Sequence, residues 1–366
     1  MRPPWARASR ALRRTLAAAA GALVAGGAAS ALLALLCGSP AAALGNGRLS
    51  SGEHAAVLAL GPWPQPPVHD PANPASHDPA GIALGESLFH SPRLSPTGLR
   101  CASCHEPWRG FVDGRVVAQG AATGSRNTPS LLDAARHRHY GWDGARDALW
   151  AQSLRPLEDP REMPATPADV GALMRGDARL FARYEKVFGE PPGADDARVT
   201  RDVGRALAAY VETLASPRTP FDDWRDRVAT GATEGPADAS FPPPALRGLR
   251  LFIGAGGCSA CHAGPGFSDD ALHSSLVHSQ GAGGQPDPGH PGALPNAFRT
   301  PGLRGVATTA PWLHDGSAAT LCDAVRPHAV DAGPAPPPLD AGQRNDLVAF
   351  LRTLSAQPPP AADCSP

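Results

Sequence analysis

Two pentapeptides, Cys101-Ala-Ser-Cys104-His105 and Cys258-Ser-Ala-Cys261-His262, constrain this chain more than any other feature. Two thiols at that spacing, with an imidazole directly behind them, form the attachment pattern of a c-type haem. The thiols add across the porphyrin vinyl groups and the histidine lies under the iron as its proximal ligand. One such pentapeptide alone also reads as half of a zinc site. Two copies behind an export segment point instead to two covalent haems.

The copies extend beyond the pentapeptides. Gly-x-x-Leu-Phe precedes each (Gly85 to Phe89, Gly248 to Phe252), and Gly-Phe-x-Asp follows each (Gly110, Phe111, Asp113; Gly266, Phe267, Asp269). Next come Thr128-Pro129-Ser130-Leu131 and Thr300-Pro301-Gly302-Leu303, then Asp143-Gly144 with Leu149 and Asp315-Gly316 with Leu321. The period is far longer than the roughly 20–50 residues of a stacking repeat, so the chain reads as one cytochrome c module duplicated in tandem. The duplication also locates the distal iron positions. His328 follows Leu321 at the spacing at which Pro156 follows Leu149. Histidine ligates iron and proline cannot, so one haem is closed on both faces, as an electron carrier is, and the other is open to a small oxidant. The residues alone leave room for a plain electron carrier in which His328 is a surface histidine.

Five arginines (Arg2, Arg7, Arg10, Arg13, Arg14), an apolar run from Leu16 to Leu36 and the small residues Ala41-Ala42-Ala43 make residues 1–43 a secretory signal peptide. The expected location is therefore the periplasm. Retention of the segment as a membrane anchor is the weaker reading, because the run is rich in alanine and glycine. Net charge is −1, which gives no argument for nucleic acid or a membrane surface. Lys186 is the only lysine, so any basic docking patch has to be built from arginine. Of the cysteines outside the pentapeptides, Cys37 falls in the signal, while Cys322 and Cys364 either pair in an oxidising compartment or remain two independent thiols.

Residues 44–81 are punctuated by proline and glycine and read as an irregular lead-in. Helical periodicity is clearest at Val199 to Leu214 and at Leu347 to Leu354, the latter preceded by a capping box at Asp340 and Gln343. No alternating strand run stands out. The expected fold is mainly α, with two cytochrome c-like domains in tandem, each with one haem and long irregular loops. An N-terminal catalytic domain spans 82–230, a linker 231–245, an electron-transfer domain 246–355 and a disordered Pro-rich tail 356–366. Residues 279–295 read as a Gly/Pro loop inside the second domain.

The stretches LFHSPRLSPTGLRCASCH, RNTPSLLDAA, GWDGARDALWAQSLRPLEDPREM, LFIGAGGCSACHAGPGF and RTPGLRGVATTAPWLHDGSAATLCDAV resemble the bacterial dihaem cytochrome c peroxidases and the related MauG proteins, in order, from about Ile82 to Leu354. The resemblance implies that hydrogen peroxide is reduced at the N-terminal haem. Electrons arrive through the C-terminal haem from a cytochrome c or another small redox protein; in the MauG branch a protein substrate is oxidised instead. It implies that Glu162 is the distal acid/base, Gln152 a distal hydrogen-bonding residue and Trp142 the aromatic between the haems. It further implies a calcium site at Asn127, Thr309 and Pro311, although Asn127 reads equally as a turn residue. A homodimer is compatible with the family, but no motif carries it. Two departures bear on subtype. Gln119 stands where the peroxidases often have a capping histidine, with His137 and His139 elsewhere, and His328 stands where they have methionine and MauG has tyrosine. The only methionines are Met1, Met163 and Met174, so the second domain has no methionine ligand to offer.

Overall fold

The computed structural model describes residues 48–233, 241–277, 287–293, 295–326, 338–359 and 364. The signal segment, the centre of the expected linker and His328 lie outside the described residues. Those described belong to one compact unit that is mainly helical.

Two hydrophobic clusters organise it. In the first, helices α2 (Pro79–Phe89), α4 (Leu149–Glu158), α5 (Pro167–Gly176), α6 (Ala178–Phe188) and α7 (Asp196–Val211) bury Leu84, Leu88, Leu154, Val170, Tyr184, Val203 and Leu207; the four-residue α3 (Cys101–Cys104) packs at its edge. In the second, α1 (Ser51–Ala59), α8 (Pro220–Ala229), α9 (Pro243–Ile253), α10 (Leu321–Ala324) and α11 (Ala341–Arg352) enclose Phe221, Trp224, Phe241, Phe252, Phe267 and Phe350. The only strands among the described residues are β1 (Leu272–Ser274) and β2 (Ala297–Arg299), paired antiparallel with His273 opposite Phe298.

The repeated sequence motifs build the same local structure twice. A Cβ on Gly85 would lie 1.9 Å from the Ala206 carbonyl oxygen, and one on Gly248 would lie 1.9 Å from the Asp346 carbonyl oxygen. Each glycine therefore marks the point where the helix ahead of a pentapeptide (α2 or α9) crosses a later helix (α7 or α11) backbone to backbone. Phe111 and Phe267 share a left-handed backbone with φ of 61° and 56°. Tyr140 bridges to Arg146 in one copy and Trp312 to Ala318 in the other, closing equivalent turns around Asp143-Gly144 and Asp315-Gly316.

Three expectations need correction. The lead-in is not wholly irregular: Ser51–Ala59 is a helix opened by a capping box between Ser50 and Glu53. Its apolar residues are too few to show a period, and what holds it is the second cluster, which takes up Val57 and Leu60, together with the Glu53–Arg250 ion pair at 2.8 Å. The change of core comes earlier than residues 231–245. Phe221, Trp224 and Val228 of α8 already pack with the second cluster, because their aromatic face meets Phe241, Phe267 and Phe350. The tail is anchored at Cys364, which is buried and disulfide-bonded to Cys322 of α10, so the two thiols pair. A buried ion pair, Arg304 to Asp222 at 2.9 Å, is capped by the Trp63 ring 3.8 Å from the guanidinium carbon and ties the lead-in to the second core.

Gly85→Ala and Gly248→Ala should each destabilise the fold by about 1–3 kcal/mol, the usual cost of overpacking where backbone cannot yield. Gly52→Ala on α1, where a Cβ meets nothing within 4 Å, should be neutral or stabilising in the same thermal melts. Opening the 42-residue separation closed by the disulfide with Cys364→Ser should cost up to about 4 kcal/mol in chemical denaturation, on the chain-entropy relation.

Candidate active site

The Cys101–Cys104 helix puts its two thiols one turn apart on one face, since residues i and i+3 are neighbours on a helix surface. His105 then leaves the helix at φ −102°, ψ 75°, with its N–H still bonded to the Cys101 carbonyl at 2.9 Å. Its Nδ1–H donates to the Phe111 carbonyl at 3.0 Å, so Nε2 carries the free lone pair. Burial pushes the His105 pKa down, which keeps the ring neutral, as a ligand must be. The second copy repeats this: His262 N–H bonds to the Cys258 carbonyl at 2.9 Å, and its Nδ1–H donates to the Phe267 carbonyl at 3.1 Å. The positive φ of each phenylalanine turns its carbonyl back toward the histidine.

A cavity of about 480 Å³ opens against Cys101, Cys104 and His105. Its far wall is α4, from which Gln152, Arg155 and Pro156 face it, followed by Glu162 on the loop after the helix. Pro156 has no N–H to give the Gln152 carbonyl, and it offers the cavity no ligand atom. Gln152 Oε1 and Thr128 Oγ1 line the cavity region as buried polar atoms with no protein partner. Two thiols one turn apart, a neutral imidazole and unpartnered polar atoms are a donor set that fits a haem.

Glu162 is half-buried. Its backbone is fixed by Ala121 N–H donating to its carbonyl at 2.8 Å, and its Oε1 accepts from Arg155 Nη1 at 2.9 Å. Burial raises its carboxyl pKa above the ordinary glutamate value, with Arg155 pulling the other way. Trp142 lines the same cavity and donates its indole N–H to the Asn127 carbonyl at 2.8 Å. Its ring meets His314, the equivalent residue of the second copy, edge to face at 6.5 Å, and His314 stacks on Phe298 of β2 at 3.8 Å.

Glu162, Gln152, Trp142 and the first Cys/His set thus face one cavity. Gln119 does not face it: its side chain bonds within its own turn, to Thr123 Oγ1 at 3.0 Å and the Val117 carbonyl at 3.3 Å. His137 reaches the wall but is held by Asp270 at 3.0 Å and by Arg299. Asn127 donates its amide to the Arg115 and Val116 carbonyls, and its N–H to the carbonyl of His314, on the segment that carries Thr309 and Pro311. The Thr309 hydroxyl donates to the Val306 carbonyl at 3.2 Å. Sequence reasoning missed Arg155, although it lies three residues beyond Gln152 on the same helix, a spacing that signals a shared face. It also missed Arg126, which binds Asp287 through two nitrogens at 2.7 Å and Asp143 at 2.5 Å, and for which no local signal exists.

The family model for di-haem cytochrome c peroxidase matches residues 79–230. Methylamine utilization protein MauG of Methylorubrum extorquens is 36% identical over 335 residues, covering 87% of this chain and 89% of the relative. Cytochrome c551 peroxidase of Nitrosomonas europaea is 31% identical over 286 residues, covering 75% and 80%. Among solved structures, a MauG-like protein associated with microbial copper homeostasis matches with a TM-score of 0.65 at 28% identity, over 81% of this chain and 95% of that one. The diheme peroxidase BthA from Burkholderia thailandensis matches with a TM-score of 0.63 at 27% identity, over 76% and 86%.

Infrared difference titration should find the Glu162 carboxyl protonating above the ordinary glutamate range, with the band absent in Glu162→Gln. A midpoint below that range would mean that Arg155 outweighs burial.

Proposed function

The chain belongs to the di-haem cytochrome c peroxidase and MauG family of oxidoreductases, whose members use two haems, and we propose that it reduces hydrogen peroxide to water at the cavity bounded by His105 and Glu162. One observation carries the reading: an acid/base carboxyl, Glu162, and an amide, Gln152, face the same cavity as a Cys/His haem-attachment set whose distal wall carries Pro156 in place of a ligand. In this reading both haems are covalent, on Cys101/Cys104/His105 and Cys258/Cys261/His262, in two tandem cytochrome c-like domains. His328 is the distal ligand of the second haem, and the protein is periplasmic. Asn127, Thr309 and Pro311 are proposed as contributors to a calcium site between the haems.

A haem held by Cys101, Cys104 and His105 would supply redox-active iron able to react with peroxide. The protein supplies proton handling. Peroxide must lose a proton from one oxygen and the departing oxygen must gain one as the O–O bond breaks; Glu162 takes and returns that proton, and Gln152 orients the oxygens by hydrogen bonding. Two electrons and two protons complete the conversion of one peroxide to two waters. The electrons come from a small redox protein, such as a cytochrome c, by way of the second haem and Trp142. His328 lowers the potential of that haem relative to a methionine ligand, because imidazole favours ferric iron more than a thioether does.

A second reading is supported by the 36% identity to MauG and by Gln119 standing where a capping histidine would be: the oxidising equivalents are passed to a protein substrate. Turnover of peroxide with a reduced small cytochrome, set against oxidation of a protein encoded beside this one, separates the two.

Glu162→Gln should keep both haems and lose peroxide reactivity by a factor of about 10²–10⁴, the range for a missing general acid/base; unchanged turnover would remove Glu162 from the mechanism. The resting ferric protein should give one high-spin and one bis-histidine low-spin haem by electron paramagnetic resonance and react with peroxide without prior reduction. Two low-spin haems, with activity only after one-electron reduction, would mean that another residue caps the first iron.

A further inference from the structure

We infer that Arg155 is a positioning residue for the distal carboxylate: it fixes Glu162 toward the cavity and sets the pH range in which Glu162 accepts a proton from peroxide. The inference rests on the peroxidase reading above and adds to it the group through which Glu162 is controlled. Arg155 projects from α4 on the face that carries Gln152, and its Nη1 reaches Glu162 Oε1 at 2.9 Å. The loop between them is pinned back to the helix end, with Met163 N–H on the Pro156 carbonyl at 2.8 Å and Ala165 N–H on the Leu157 carbonyl at 2.9 Å. On its other side, Ala122 N–H bonds to the Arg161 carbonyl at 2.9 Å. The backbone on both sides of the ion pair is therefore fixed, and holding Oε1 leaves Oε2 as the proton-accepting atom.

The other charges around Glu162 are committed elsewhere. Arg161, its chain neighbour, chelates Asp159 through two nitrogens at 3.0 and 2.8 Å. Across the cavity Arg126 is tied to Asp143 and Asp287. Cys104, which also faces Glu162, carries no titrating proton once bonded to a haem. Asp159 disfavours the Glu162 carboxylate, as burial does; Arg155 and, less strongly, Arg161 oppose them, and Arg155 is the one that also hydrogen-bonds the carboxylate. Arg146 pairs with Glu158 at 2.8 Å.

The proton step is balanced within the peroxidase cycle. An O–H bond of hydrogen peroxide breaks as an O–H bond forms at Glu162 Oε2. The O–O bond breaks with two electrons from the reduced donor, the proton on Oε2 passes to the departing oxygen to give one water, and two protons from solvent convert the remaining oxygen to the second. Without a cation beside it, Glu162 binds its proton more tightly and is a base only at higher pH.

The test is the pH dependence of the peroxide reaction in the diheme protein bearing Arg155→Met or Arg155→Lys, with the resting spectrum of both haems recorded for each. In Arg155→Met the acid limb should move to higher pH, and the rate at a fixed pH on that limb should fall about tenfold for every pH unit the limb travels. The rate should recover toward wild type as pH rises, and Arg155→Lys should return most of the limb. Glu162→Gln combined with Arg155→Met should be no slower than Glu162→Gln alone, because Arg155 acts through Glu162. A limb that stays in place in Arg155→Met, or a double variant well below the single one, overturns the inference. Glu162→Gln at full rate defeats the peroxidase reading itself. Glu162→Gln inactive with an unmoved limb in Arg155→Met defeats only the role given to Arg155.

Discussion

His105 and His262 each donate Nδ1–H to the carbonyl of a phenylalanine that sits at positive φ a few residues downstream. That hydrogen bond fixes the tautomer, aims Nε2 away from the chain, and makes the ring a stronger ligand. The Gly-Phe turns, the Thr-Pro segments beyond them and the glycine-mediated helix crossings recur together with that bond in both copies. The motif survives duplication as a block because its parts are geometrically interdependent.

In the first copy a helix carrying Gln152, Arg155 and Pro156 closes the cavity, with Glu162 on the returning loop. Where the copies meet, the equivalent residues Trp142 and His314 face each other, and Phe298 stacks on the histidine. Burial lowers the His314 pKa, so the contact is between neutral aromatic rings. Nearby, Arg126 is shared between Asp143 and Asp287, while the Glu162 carboxylate is paired with Arg155.

Much of this was legible in the residues. The pentapeptides, the repeat and the helices expected at 199–214 and 347–354 all rest on short-range rules; the helices form at Asp196–Val211 and Ala341–Arg352, and the capping box at Asp340 and Gln343 forms as its spacing requires. Glu162, Gln152 and Trp142 were found by resemblance, and the fold brings all three to one cavity. The helix at 51–59 was not legible, because what stabilises it is a core built by residues nearly two hundred positions later.

The sequence by itself determined the two Cys/His sets, their tandem duplication and the absence of a ligating side chain at Pro156, since covalent spacing and side-chain chemistry are local properties. Only the tertiary structure decided that Cys322 and Cys364 pair, that α8 belongs to the second core, that Gln119 turns away from the cavity and that Arg155 faces Glu162. Each of those depends on where side-chain atoms lie after the helices pack. Burial and side-chain pairing in the packed fold set those positions, and sequence spacing alone does not fix them.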